Sequence, residues 1–220
     1  MGAGAAMTGK TMRMAALLAT ALGVAACGSE SGQSTLRNVT TGIVSQLGNR
    51  APSRVTLSDQ AIRDLGEVVV LTRRKNDDAA LIMPVGRNGT VTTYESVDGT
   101  QLLLDRDVLV GTKGFGEDIT SAQPPDVRRT RGTALRDHYY LNGDEVIRRA
   151  RFTCTITDTG ADSIEVAGRD YPSRKITEAC SSDLASFENL YWIEADGTIR
   201  QSLQWVGPEV GSLVLERVHD

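Results

Sequence analysis

From Gly66 onward the chain alternates apolar and polar residues with a period of two, broken by turn signals at roughly the ten-residue spacing of an all-β body. That rhythm constrains the fold more than any other feature. Side chains on a strand point alternately to its two faces, so a period of two buries one face of a sheet. Val68 to Arg73 and Ala80 to Val85 are apolar, β-branched runs separated by the polar KNDD. Asn88-Gly89 and Asp98-Gly99 are hairpin-turn dipeptides that bound the strand TVTTYES. QLLLDRDVLV reads as one longer strand or a bent pair, and GTKGFGEDITSAQPPDV reads as a loop stopped by its glycines and Pro124-Pro125. Tyr139 to Leu141 passes through Asn142-Gly143 into a strand where Val146, Ala150, Phe152, Cys154 and Ile156 share one face and Arg149, Arg151, Thr153 and Thr155 the other. DTGAD then turns the chain into SIEVAG, and RDYPSRKITEAC brings Cys180 back. With no repeat or heptad to interrupt it, this pattern predicts a mainly β body, an antiparallel partly open barrel or sandwich.

One or two short N-terminal helices precede that body. Leu36, Val39, Ile43, Val44 and Leu47 line one helical face within Thr35 to Leu47. LSDQAIRDLG, Leu57 to Gly66, reads as a second helix with Ser58 as N-cap and Gly66 as its stop.

Residues 4 to 11, GAAMTGKT, match the phosphate-loop pattern GxxxxGK[ST]. Such a loop cradles phosphate only between a buried strand and a helix, and three residues are too few for that strand. The same residues instead fit a targeting segment: Lys10 and Arg13 form a positive n-region and MAALLATALGVAA an uncharged apolar h-region. The stretch ends Val24-Ala25-Ala26-Cys27-Gly28, which resembles the lipobox of bacterial lipoproteins, where the cysteine is lipidated and becomes the new N-terminus. This divides the chain into residues 1–26, a signal peptide that is removed; 27–35, the lipid anchor on Cys27 with a polar tether; and 36–220, a single mainly β domain. Gly rather than Asp at position 28 points to an outer-membrane, periplasm-facing location in a Gram-negative bacterium. Acyl chains contribute about 0.8 kcal/mol per buried CH₂, so the lipid alone holds the protein to the membrane. No nucleotide is expected as a ligand.

Losing Lys10 and Arg13 leaves 22 basic residues against 28 acidic ones. A mildly acidic chain argues against nucleic acid as a partner, which requires a basic face. Beyond Cys27 the two remaining cysteines, Cys154 and Cys180, are an even pair in an oxidising compartment and predict a disulfide. Neither metal nor cofactor is expected, since only His138 and His219 add imidazole. Enzymatic signals are equally thin: His138 beside Tyr139 and Tyr140 has no visible partner as a general base, and the paired acids Asp77-Asp78 and Glu117-Asp118 sit in turn-like, solvated segments.

Residues 189 to 207, NLYWIEADGTIRQSLQWVG, form two strands around Ala195-Asp196-Gly197. Their pattern, N-x-YWI-x-x-x-G-x-IRQS-x-Q-x-x-G, resembles the C-terminal hairpin of the YjbF family, the group 4 capsule polysaccharide lipoproteins. The likeness extends more loosely over the mature chain through the lipobox cysteine, the tether and the LSDQAI helix. It implies an outer-membrane-anchored, non-enzymatic accessory in assembly or export of extracellular polysaccharide, beside an outer-membrane β-barrel partner. Two other readings stand next to it: a lipid or lipoprotein carrier with a half-open β cavity, and a cell-wall or polysaccharide hydrolase. Tyr191, Trp192 and Trp205 are the candidate carbohydrate-stacking residues, with Arg200, Gln201 and Gln204 as hydroxyl partners, although large aromatics on a hairpin also serve as core.

Overall fold

The structure, a computed structural model, describes residues 58–218 apart from 68, 74–77 and 142–145. The expected signal peptide, Cys27, the tether and the helix over 35–47 lie outside the described residues. Ser58 caps α1 (Asp59–Leu65), its Oγ accepting a hydrogen bond from the Ala61 amide at 3.2 Å and so satisfying one donor that a helix start leaves unpaired. Gly66, at φ +68°, follows as the C-cap the sequence predicts.

Among the described residues twelve strands follow: β1 (Val69–Arg73), β2 (Asp78–Asn88), β3 (Val91–Ser96), β4 (Gln101–Asp105), β5 (Val108–Lys113), β6 (Ile119–Gln123), β7 (Gly132–Leu141), β8 (Ile147–Val166), β9 (Arg169–Ser181), β10 (Ser186–Ile193), β11 (Ile199–Gly207) and β12 (Gly211–Arg217). They form one antiparallel sheet in the order β5-β4-β3-β2-β1-β12-β11-β10-β9-β8-β7-β6. Every neighbour except one is also a neighbour in sequence. The exception, β1 against β12, ties the start of the body to its end, with Val69 opposite Arg217.

The edge strands β5 and β6 are consecutive in the chain, and the sheet curls until they meet. A Cβ on Gly111 would lie 3.4 Å from the Ile119 carbonyl, and the Ile119 amide donates to Thr112 Oγ1 at 2.8 Å. A side chain thus bonds the seam where a closed barrel has a backbone ladder, and the result is a nearly closed barrel rather than a sandwich. Asp118 completes the seam. Its carboxylate accepts from Thr112 Oγ1 at 2.8 Å, the Gly114 amide at 2.9 Å and the Phe115 amide at 3.2 Å, so it is a structural residue and not simply a solvated one.

Side chains fill the interior. Val69, Ile82, Tyr94, Leu102, Leu109 and Leu213 pack in one cluster, and Ile156, Ile176, Tyr191, Ile193 and Ile199 pack in another with Val127 from the β6–β7 loop. Each fully buried aliphatic side chain stabilises the fold by roughly 1.5–3 kcal/mol. Val70 faces away from Val69 and is buried with Val166 and Tyr171 from the far end of the β8–β9 hairpin, which therefore covers the outer face of β1.

The structure decides one reading the sequence left open and departs from it at others. QLLLDRDVLV is two strands, β4 and β5, joined by a tight turn at Arg106 (φ +47°) and Asp107 (φ +70°). DTGAD lies inside β8, where Gly160 at φ +99° and a register shift mark a bulge; the reversal comes later, at Ala167-Gly168. The expected long loop is largely strand, since β5 runs to Lys113 and β6 occupies Ile119–Gln123. Phe152, Cys154 and Ile156 are buried as expected, but Val146 at the hairpin end is 53% exposed.

Candidate functional site

Cys154 and Cys180 stand opposite one another across the β8–β9 ladder and are joined by a disulfide with S–S 2.04 Å, buried on both sides. Glu178 points inward beside them, and the three would together offer a metal-ligand cluster. The disulfide removes both thiolates, and other side chains occupy the carboxylate oxygens, so the donor set does not suit a metal.

Those side chains form a polar network on the inward faces of β7, β9 and β10. Arg136 Nε donates to Glu178 Oε1 at 2.9 Å and Nη2 to Oε2 at 2.8 Å, a bidentate pair only 2% and 0% exposed. Asn189 Nδ2 at 2.8 Å and the Tyr191 hydroxyl at 3.1 Å also donate to Oε2. Burial opposes the Arg136 cation, yet Tyr191 and Glu178 outweigh it and raise its pKa. His138 extends the chain. Tyr140 Oη donates to the Val206 carbonyl at 2.6 Å, so its single proton is used and His138 Nδ1–H must be the donor in their 2.9 Å contact. Nε2 is then an acceptor facing Arg136 Nη1 at 3.4 Å. Burial first, and the Arg136 charge second, push the imidazole down to a pKa of about 3. A histidine held neutral and wholly buried has no route to a substrate as a general base.

The three aromatics picked out in sequence do not assemble into one surface. Tyr191 is 0% exposed and its hydroxyl belongs to the network. Trp205, 8% exposed at a register shift on β11, stacks on Phe187 with centroids 4.3 Å apart and an interplanar angle of 8°. Trp192 alone of the three faces outward. Its Nε1 donates to Asp162 at 2.9 Å, Lys175 Nζ sits 5.3 Å from its ring centroid, and it borders a shallow apolar hollow of 300 Å³ with Leu190, Leu203 and Val214. Alternation on β10 explains the split between Tyr191 and Trp192, since adjacent residues face opposite sides. The polar companions are also engaged: Gln201 donates to Glu216, Gln204 to the Asp107 carbonyl, and Arg200 to Glu194 while stacking on Tyr171.

A second polar constellation lies at one end of the barrel. The Arg106-Asp107 turn, the Gly89-Thr90 turn, the 194–198 turn and the end of β12 line two adjoining cavities of 360 and 600 Å³, which share Glu67, Asp107 and Arg217 as a common wall. Arg217 Nη1 donates to Glu67 at 2.9 Å and Nη2 to Tyr94 Oη at 3.1 Å, and it also pairs with Asp107. Tyr94 Oη donates to Glu67 at 2.5 Å. Burial and the Glu67 hydrogen bond push the Tyr94 phenol up to about 12. Burial would raise Glu67, but hydrogen bonds from Tyr94 and Arg217 and the nearby Arg217 and Arg87 charges prevail and hold it below the usual carboxylate range. Arg128 buttresses the floor through the Gly197 and Arg106 carbonyls, both at 2.8 Å. Sequence reading passed over this end because Arg106 and Asp107 stand inside an apolar run without turn-forming glycine or asparagine. The DRD triplet between LLL and VLV was the available signal.

The sequence pattern of one protein family, described as "Group 4 capsule polysaccharide lipoprotein gfcB, YjbF", matches residues 33–218. A relative named "Uncharacterized lipoprotein YjbF", from Escherichia coli (strain K12), is 40% identical over 50 residues, which is 23% of this chain and 24% of that protein; the match thus spans about a quarter of the relative's length. The crystal structure of the hypothetical lipoprotein YmcC from Escherichia coli (K12) has a TM-score of 0.65 at 19% identity, covering 83% of this chain and 95% of that one. At that identity the likeness shows a common fold.

Proposed function

This chain belongs to the YjbF family, and from that premise we propose that it is a lipid-anchored, non-enzymatic accessory in the assembly or export of extracellular polysaccharide. Cys27 carries the lipid, the body faces the periplasm at the outer membrane, and it acts by contacting the passing polymer or an outer-membrane β-barrel channel. The observation that carries this reading is the family match over nearly all of the chain that follows the tether. The non-enzymatic part is supported by where the titratable groups are spent. His138, Arg136 and Glu178 lock one another inside the barrel, and Glu67 and Asp107 are tied to Arg217.

A carrier of acyl chains would need a wide apolar cavity inside the barrel. Between Leu104, Ile199, Ser202 and Leu215, where the interior side chains meet, the described residues leave about 10 Å³, the room of a single water at most, and this place offers no such cavity. The test is to delete the gene in the native host and measure surface-attached and periplasmic polysaccharide. The proposal expects surface polymer to fall and periplasmic polymer to accumulate, with recovery on complementation by the wild type but not by Cys27→Ser. Unchanged surface polymer would contradict it.

A further inference from the structure

We propose that the 360 Å³ cavity at the charged end of the barrel is a subsite for a carboxylate-bearing sugar unit of a polysaccharide, with Arg87 and Arg106 taking the carboxylate. The inference rests on the polysaccharide reading above and names the ligand class. The cavity falls in the size range of small-ligand sites. Its floor is already fixed, because Arg217 is held by Glu67, Asp107 and Tyr94, so those groups are oriented before any ligand arrives. Its rim is different. The Arg87 side chain is exposed and makes no hydrogen bond or ion pair among the described residues, its charge acting only at a distance on Glu67, while the Arg106 side chain, 62% exposed, has the adjacent Asp105 at 3.9 Å.

The rim is shaped by its turn. Arg106 and Asp107 are the two-residue loop between β4 and β5, and both adopt positive φ, at +47° and +70°, as a tight hairpin turn requires. That turn sends the Asp107 carboxylate down to Arg217 and Arg128 and leaves Arg106 at the rim.

The mixture of charges selects the ligand. A simple anion would meet repulsion from Glu67 and Asp107, and from Glu194 and Asp196 in the adjoining cavity. A neutral sugar would give the exposed Arg87 and Arg106 guanidinium groups no negative charge to take up. An acidic sugar satisfies both: planar guanidinium groups match a carboxylate, and the carboxylates and Thr90 hydroxyl accept from ring hydroxyls. The 600 Å³ lobe, with Asp196 and Thr198, continues the track for the next unit.

The test is isothermal titration of the full mature chain, without lipid, using trigalacturonate, maltotriose and inorganic phosphate as probes. Trigalacturonate should bind at least about tenfold tighter than maltotriose. The substitutions Arg87→Gln and Arg106→Gln should each weaken it about tenfold, the loss of one charge-assisted contact, with the urea midpoint unchanged because both side chains are exposed. Equal affinity in the variants, no preference over maltotriose, or phosphate binding as tightly as the sugar would overturn the inference. If gene deletion stops export while the wild type binds no trigalacturonate, the subsite fails and the polysaccharide role stands. If deletion leaves export unchanged, the role fails whatever the titration shows.

Discussion

Glu178→Gln should be the most damaging single-atom change in the barrel. Glu178 is 0% exposed and its partner Arg136 2%, and glutamine has nearly the same shape, so the substitution adds no cavity and changes only charge and one acceptor. Arg136 is left as a buried cation facing an amide donor in place of a carboxylate oxygen. Removing one partner of a buried pair costs about 3–5 kcal/mol. For a body of this length that lowers Tm by about 6–20 °C, at about 2–4 °C per kcal/mol. Arg174→Gln is the matched surface control. It breaks the pair with Asp158, but its side chain is 65% exposed, and an exposed pair contributes about 0–1 kcal/mol. Replacing both buried partners, Arg136→Met with Glu178→Leu, should recover only part of the loss. The Asn189 amide and Tyr191 hydroxyl would then lack their acceptor, at about 1–3 kcal/mol each. Urea unfolding followed by tryptophan fluorescence reads all four proteins. A Glu178→Gln unfolding free energy within about 1 kcal/mol of wild type, no lower than that of Arg174→Gln, would refute the view that this network holds the barrel together.

Three further outcomes follow from the same structure. Replacing Cys154 and Cys180 by alanine should lower stability by about 3.5 kcal/mol, the chain-entropy value for a sequence separation of 26, measured as a shift in urea midpoint. His138 should make the protein acid-sensitive: its folded pKa of about 3 lies below the ordinary 6.5, so between those values the unfolded chain binds the extra proton and stability falls as pH falls. From pH 6.5 to 5 the loss is about 2 kcal/mol, and His138→Gln should flatten that slope in urea titrations at the two pH values. Trp205→Ala should destabilise by about 3–5 kcal/mol, because its ring lies stacked against Phe187 in the interior, and a stable variant with weakened sugar binding would restore the stacking hypothesis.

Much of the fold was legible because it is local. Period-two alternation and glycine turns mark most of the strands, Ser58 and Gly66 mark α1, and the even cysteine pair marks the disulfide. Gly160 misled because positive φ serves a bulge as well as a turn, and only the pairing partner across the ladder distinguishes them. The barrel's closure was not legible either, since the contact between β5 and β6 depends on Gly111 and Thr112 meeting a strand that the glycine- and proline-rich segment disguised as loop. The sites were harder still. Tyr191 and Trp192 are adjacent letters on opposite faces, whereas Glu67, Arg87, Asp107 and Arg217 are brought to one cavity by the β1–β12 pairing and by turns far apart in the chain.

The most direct measurement is photocrosslinking in living cells that make the polysaccharide, with a photoreactive amino acid at Thr90 on the rim of the charged cavity or at Thr153, exposed on β8. After detergent extraction and purification through the protein, covalently attached sugar is quantified. The expected result is polymer attached at Thr90 and none at Thr153. No attachment at Thr90, or equal attachment from both positions, would contradict the claim that this end of the barrel handles the polysaccharide.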